Sequence, residues 1–302
     1  MQEILMRAGS FVAIIIVGYV LRKINFFKEG DFQVLSKIVL KITLPASIVY
    51  SFSGKEIEPA LLALCLISLG GGLTYMGIAY LMSRKDGKEQ QAFEVLNTAG
   101  YNIGNFTLPF VQSFLGPTGV IATSLFDVGN APVCLGGAYS VASIVKGEGT
   151  FSVKKIAKAL SKSVAFDCYI VMVIMCLLHI PVPEVITNFA EIIANGNAFL
   201  AMLMIGVGFR LTGDKKQLGT IARILIVRYS VAVVIALGCY FLLPIPLEMR
   251  QALVILSFSP IASAAPAFTG DIKGDVGLSS ALNSISIVCS IVFIVGVLLI
   301  ML

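Results

Sequence analysis

What this sequence has least of is charge. Aspartate, glutamate, lysine and arginine together make 13% of 302 residues, where a soluble domain carries about a quarter. That shortage excludes the soluble globular class. With 57% hydrophobic residues and a mean hydropathy of +0.94, it leaves an all-α polytopic membrane protein. Histidine is nearly missing: His179 stands alone, so no metal site can rest on paired histidines, and an interfacial structural role is expected for it. Six cysteines (Cys65, Cys134, Cys168, Cys176, Cys239 and Cys289) lie inside apolar runs without CxxC spacing. That argues against a disulfide framework or a zinc site and reads as buried small hydrophobes. The paired membrane aspartates of an intramembrane aspartyl protease are missing, as is the serine–histidine pair of a rhomboid-like protease. Neither an enzyme nor a cofactor or metal is expected. A cleavable leader is missing too. Arg7 is the only positive charge ahead of the first run's centre, while Arg22 and Lys23 follow it, which predicts a retained span with the N-terminus outside.

What is there is ten apolar runs. They read as spans over Ile4–Leu21, Phe32–Phe52, Pro59–Met82, Gln91–Leu115, Thr118–Ile144, Ser163–Ile180, Glu184–Phe209, Leu218–Leu243, Leu247–Gly270 and Val276–Leu302. Spans of about 20 residues joined by short loops use up the chain, so residues 1–302 are expected to form one membrane domain. Fifteen lysines and arginines fall in the odd-numbered loops, among them Lys215 and Lys216, against Lys55 and Arg250 in the even ones. The asymmetry predicts odd loops in the cytoplasm, both termini outside, and a multi-pass place in the cell membrane. It also accounts for the formal charge of +5 without a nucleic-acid partner. The longest loop, 145–162, sets Val153, Ile156 and Leu160 among lysines, as an amphipathic helix on an anionic leaflet would.

Two spans are poor helices. Ala99–Gly116 holds Gly100, Gly104, Asn102, Asn105 and Pro109; Ser257–Gly270 holds Pro260 and Pro266. Broken backbone exposed to hydrocarbon costs several kcal/mol per unpaired group, so such breaks belong inside protein, lining a polar cavity. The breaks correspond. Gln91-Ala92 and Gln251-Ala252 open their spans, Pro109 matches Pro266, Gly116 matches Gly274, and Asn130 matches Asn283, at offsets near 155–160 residues. Two copies of five spans each must enter from opposite sides. A 5+5 inverted repeat is therefore expected (1–144 and 163–302 around the linker 145–162), with broken spans four and nine crossing at mid-membrane.

A broken helix presents the N-terminus of its second half, whose free N–H groups and dipole favour an anion. Pro109 suits such a first turn, with Thr107 or Asn105 as cap; Pro266 does the same with Ser263 near the cap. A carboxylate there would be met by Asn102, Asn105, Thr107, Ser257, Ser259 and Ser263, beside Pro260 and the paired Asn130 and Asn283. Ionisable residues at membrane depth are functional candidates by default. Lys41, Asp127, Glu191 and Arg228 qualify, with Lys37 and Arg223 nearer the interfaces. Asp127 is either a proton-coupling group or a static partner of Arg228 or Lys41; Arg228 is alternatively a holder of substrate charge.

Asn102-Ile103-Gly104-Asn105-Phe106-Thr107-Leu108-Pro109, Ser259-Pro260-Ile261-Ala262-Ser263-Ala264-Ala265-Pro266 and Leu44-Pro45-Ala46-Ser47-Ile48-Val49-Tyr50-Ser51-Phe52 resemble the auxin efflux carrier family, and its bacterial organic-anion permeases in particular. The resemblance spans the whole chain. It implies the fold of the bile-acid:sodium symporters, a scaffold of spans one, two, six and seven, and a transport domain of the other six that moves as an elevator. It further implies a secondary transporter of mono- or dicarboxylates, in efflux or exchange, with a homodimer as in plant members; proton coupling, exchange and uniport are left open. An anion channel or uniporter and a carrier of auxin-like aromatic carboxylates are the alternatives. The plant Asn-Pro-Asn-Thr-Tyr run is not reproduced, and no acidic residue of the kind the sodium symporters use is expected between Leu247 and Gly270.

Overall fold

A computed structural model describes residues 2–28, 30–210 and 217–302; Lys215 and Lys216 lie outside the described residues. Among those residues the chain is helical throughout, without strands. Seven helical segments are long and apolar enough to cross a membrane, and an eighth is obtained if one bent pair counts as a span.

The segments that fail this length test are in the two spans the sequence breaks and in the sixth, which it does not. The second expected span holds: α2 (Asp31–Ile38), a π-turn over Val39–Thr43 and α3 (Leu44–Phe52) run on as one, with Pro45 in the first turn of α3. The fourth and fifth spans run together. After α5 (Lys88–Thr98), a π-turn (Ile103–Thr107), α6 (Leu108–Pro132), a second π-turn (Val133–Gly137) and α7 (Ala138–Lys146) make a continuous stretch of 44 residues. At 1.5 Å per residue that is about 66 Å, twice a ~30 Å hydrocarbon core. It breaks at Gly116 (φ 59°, ψ −155°), directly before Pro117. The sixth expected span is the short α9 (Val164–Leu177), bent by 81° against α8 (Val153–Leu160). The ninth is split into α13 (Leu247–Ser257) and the seven-residue α14 (Ala265–Asp271). The unbroken spans are α1 (Gln2–Lys23), α4 (Ala63–Met82), α10 with α11 (Glu184–Ala194, Asn197–Gly208), α12 (Leu218–Leu242) and α15 (Val276–Met301).

The linker forms the expected helix, α8, capped by Ser152 through the Lys155 N–H. Its apolar face is narrower than expected. Ile156 is buried against Gly136, whereas Val153 is exposed and Leu160 half-buried. The cysteines are free; Cys176 and Cys239 are buried and the other four only partly. His179 closes α9, exposed and 3.9 Å from Glu56.

Two groups of helices pack within themselves. One holds α1, α2–α3, α9 and α10–α11; the other holds α4–α7 and α12–α15. Inside the first, α1 meets α11 backbone to backbone: a Cβ added at Gly206 would run into the Ile15 carbonyl, and one at Gly18 would lie 3.1 Å from the Gly206 Cα. Inside the second, Gly129 of α6 lies equally close to the Cys65 carbonyl of α4. Small residues at these crossings let membrane helices approach where lipid supplies no hydrophobic drive.

Candidate functional site: a crossing of two broken helices

The chain leaves helical geometry after Thr98 and runs through Gly100, whose φ is +75° and whose added Cβ would sit 2.6 Å from the Cys134 sulfur. Only glycine fits that bend. It frees backbone groups at membrane depth, and those of Tyr101 find side-chain partners. Tyr101 N–H donates to Asn130 Oδ1 (3.0 Å), and Asn130 Nδ2 donates back to the Tyr101 carbonyl (2.9 Å). The second break is satisfied in the same way. Ile261 N–H donates to Ser286 Oγ (3.1 Å), and Asn283 Nδ2 donates to the Ile261 carbonyl (2.9 Å). In both, the asparagine comes from the span expected to follow the broken one, Asn130 from the second part of α6 and Asn283 from α15.

The two breaks touch. Asn102 N–H donates to the Pro260 carbonyl (2.9 Å), Thr107 Oγ1 to Ser259 Oγ (2.7 Å), and Asn105 Nδ2 to Ser263 Oγ (3.0 Å). The two side-chain pairs are 152 and 158 residues apart in sequence. A third such pair, Thr43 Oγ1 to Asn197 Oδ1 (2.8 Å), is separated by 154. These separations lie within a few residues of the offset of the sequence echo.

Arg228 of α12 sits at the crossing and is fully buried. Its guanidinium donates to the Thr98 carbonyl (2.6 Å) and to the Ser259 and Pro260 carbonyls (2.9 Å each). It also lies over the rings of Tyr75 and Tyr101, 5.0 and 5.4 Å from their centroids. Among the described residues no carboxylate pairs with it.

A cavity of about 410 Å³ opens beside the crossing. From the second helix group it is lined by Asn102, Asn105, Ser263, Pro266, Asn283, Ser280 and Ser284; from the first, by Arg22, Gln33, Phe32, Phe209 and Arg210. Asn102 and Asn105 are otherwise well covered, while Ser263 is exposed to this space. Arg22 donates to the Val207 and Phe209 carbonyls (3.1 and 3.2 Å) at the end of α11, and Arg210 N–H donates to Ser284 Oγ (3.0 Å).

Five of the expected site residues therefore line the cavity: Asn102, Asn105, Ser263, Pro266 and Asn283. The others do not. Thr107 and Ser259 are spent on each other, Pro260 is buried behind the crossing, and Asn130 holds the Tyr101 backbone. Ser257 donates to the carbonyl one turn back, that of Leu253 (2.8 Å), and so does not reach the cavity. Pro109 does occupy the first turn of α6, yet neither Thr107 nor Asn105 caps that helix, and Ser263 does not cap α14. Their side chains serve the crossing instead. With seven residues α14 contributes little dipole, so the positive helix ends are a smaller part of the site than its side chains.

Of the charged candidates, only Arg228 is at the crossing. Asp127 does not pair with it or with Lys41: its carboxylate accepts from Asn130 Nδ2 (2.9 Å) and from the Tyr169 hydroxyl of α9 (3.1 Å). Glu191 accepts from Tyr50 (3.0 Å) at the α3–α10 contact, and Lys41 is exposed on the π-turn of the second span. Arg223 bridges Asp86 (2.6 Å) and Glu94. Glu248 does lie in the ninth span, against the expectation of no acid between Leu247 and Gly270, but it stands exposed in the first turn of α13, and Asp271 is exposed just past the other end.

Sequence reasoning missed Arg22 and Arg210, which it counted as loop charges. A cue was present. Each follows a glycine by four residues, Gly18 and Gly206, and those glycines touch where α1 crosses α11. One helical turn on, the two arginines share one end of that crossing.

Interrupted helices meeting in a bundle of apolar spans, around a buried cation and beside a polar cavity, are the architecture of a membrane transport protein. Residues 8–144 match the family described as membrane transport protein, the domain of the auxin efflux carrier family. That is a family of transporters rather than of enzymes. No curated protein matches the chain.

Proposed function

We propose that the chain is a secondary transporter of small organic anions, mono- or dicarboxylates, bound in the cavity beside the crossing. The observation carrying this reading is the lining: Arg22 and Arg210 share about 410 Å³ with the amides of Asn102, Asn105 and Asn283 and the hydroxyl of Ser263. Guanidinium and carboxylate form the strongest common charge-assisted pair, and side-chain amides complete the oxygen atoms' bonding. The volume lies at the small end of ligand sites.

The reading includes ten spans in a 5+5 inverted repeat. Bonded pairs 152, 154 and 158 residues apart support it, because residues near a two-fold pseudo-axis meet their own counterparts. The lysine and arginine asymmetry puts both termini outside and makes the cavity open to the cytoplasm of a cell-membrane protein. The group of α1, α2–α3, α9 and α10–α11 is the scaffold, carried as a homodimer; α4–α7 and α12–α15 slide against it as an elevator. Asp127, bonded to Tyr169 across that boundary, is the proton-coupling residue. The lysines of α8 rest on anionic lipid.

A ligand panel tests the reading. Mono- and dicarboxylates should raise the melting midpoint of purified protein where their neutral amides do not. Arg22→Gln should weaken the best ligand about tenfold, the loss of one charge-assisted bond. A panel in which carboxylates and amides behave alike would contradict the reading.

A further inference from the structure

The guanidinium of Arg228 lies where a metal cation would lie in a cation-coupled carrier. Unwound carbonyls and the C-terminal ends of half-helices are what coordinate Na⁺ in transporters with interrupted helices. Here the same kinds of atoms converge on one side chain: Thr98 O at the end of α5, and Ser259 O and Pro260 O just past the end of α13. Each helix C-terminus is equivalent to about half a negative charge. Two such ends come to roughly one, which matches one guanidinium. This explains how a fully buried arginine is tolerated without a carboxylate partner among the described residues, an arrangement otherwise strongly unfavourable in a membrane. The Tyr75 and Tyr101 rings, 5.0 and 5.4 Å away, complete the shell with π faces. They suit a weakly hydrated guanidinium better than a small metal ion.

We propose that Arg228 is a tethered counter-cation that permanently fills the cation position of the crossing, so that the crossing forms without Na⁺, and that truncating it uncovers a site for a free guanidinium ion. The crossing geometry it holds is the one that presents Asn102, Asn105 and Ser263 to the cavity, so Arg228 is a positioning residue for the anion site. The proposal goes beyond the carboxylate reading and does not need it.

The test is a melting series on purified full-length protein. Wild type should melt at the same midpoint in equal concentrations of NaCl and choline chloride. Arg228→Ala should melt about 10 °C lower, and guanidinium chloride, at concentrations too low to denature wild type, should raise its midpoint and leave wild type unmoved. Arg228→Lys, which keeps the charge but not the fork, should fall between the two. A Na⁺-specific rise in the wild-type midpoint would overturn the proposal, and that arm stands even if Arg228→Ala fails to fold. So would an alanine variant as stable as wild type, or guanidinium acting on both alike. No carboxylate enters these measurements, so failure of the anion site is read separately, as the absence of any carboxylate shift.

Discussion

At the scale of single residues, the crossing depends on side chains that replace lost backbone partners. Asn130 satisfies both the N–H and the C=O of Tyr101. Asn130→Ala leaves two buried backbone groups unpaired, at roughly 1–3 kcal/mol each. Purified Asn130→Ala should therefore unfold several degrees below wild type. An unchanged midpoint would mean that the break at Tyr101 finds other partners. Asp127 accepts from Asn130 and also from Tyr169, which joins the break to the other helix group. Asp127→Asn keeps the size but cannot release a proton. Flux through this variant should lose its response to an imposed pH gradient; a response like that of wild type would remove Asp127 as the coupling residue. The amides were legible in the sequence because Asn102, Asn105, Asn130 and Asn283 are anomalous in apolar runs. Which of them face the cavity was not legible. Ser257 and Ser263 look alike in sequence, but Ser257 is buried at the end of α13 and bonded to Leu253, whereas Ser263 faces the cavity and accepts from Asn105.

At the scale of elements, glycine decides which helices can cross. Gly18 and Gly206 bring α1 and α11 into backbone contact, whereas Gly9 and Gly296 have open space around the position of a Cβ. Gly206→Val should lower the melting midpoint and the yield of folded protein, while Gly9→Val should leave both near wild type. Equal effects from the two would contradict the close crossing. The positions of the broken elements follow from sequence: glycine, proline and buried amides at matched places mark them. Their lengths do not. The shortness of α14, seven residues ending at Asp271, reflects the bend by which the chain enters α15. That bend falls where the sequence puts it, between Gly270 and Val276; what the sequence leaves open is how far the break around Pro260 extends, from Ser257 to Ala265, because that depends on contacts with the other break. The convergence of Arg22 and Arg210 was hidden for a similar reason, since it depends on a contact between the first span and the seventh.

At the scale of the whole molecule, two helix groups enclose one polar cavity. The arginines Arg22 and Arg210 come from one group, while Asn102, Asn105, Ser263 and Asn283 come from the other. An anion held between them is bound by both only while they stand in this relation, so sliding one group past the other would change which residues hold it. The class of membrane protein was legible from composition alone, because few charges and many long apolar runs have no other stable outcome in water or lipid. The central claim is that this shared cavity at the crossing carries a small organic anion. Carboxylate counterflow in proteoliposomes tests it most directly, comparing wild type with Asn105→Ala/Ser263→Ala, which removes one of the three bonds between the two breaks and two cavity-lining side chains together. Saturable counterflow by wild type, lost in a double variant that still folds and inserts, is the predicted result; counterflow by the double variant at the wild-type rate would contradict the account.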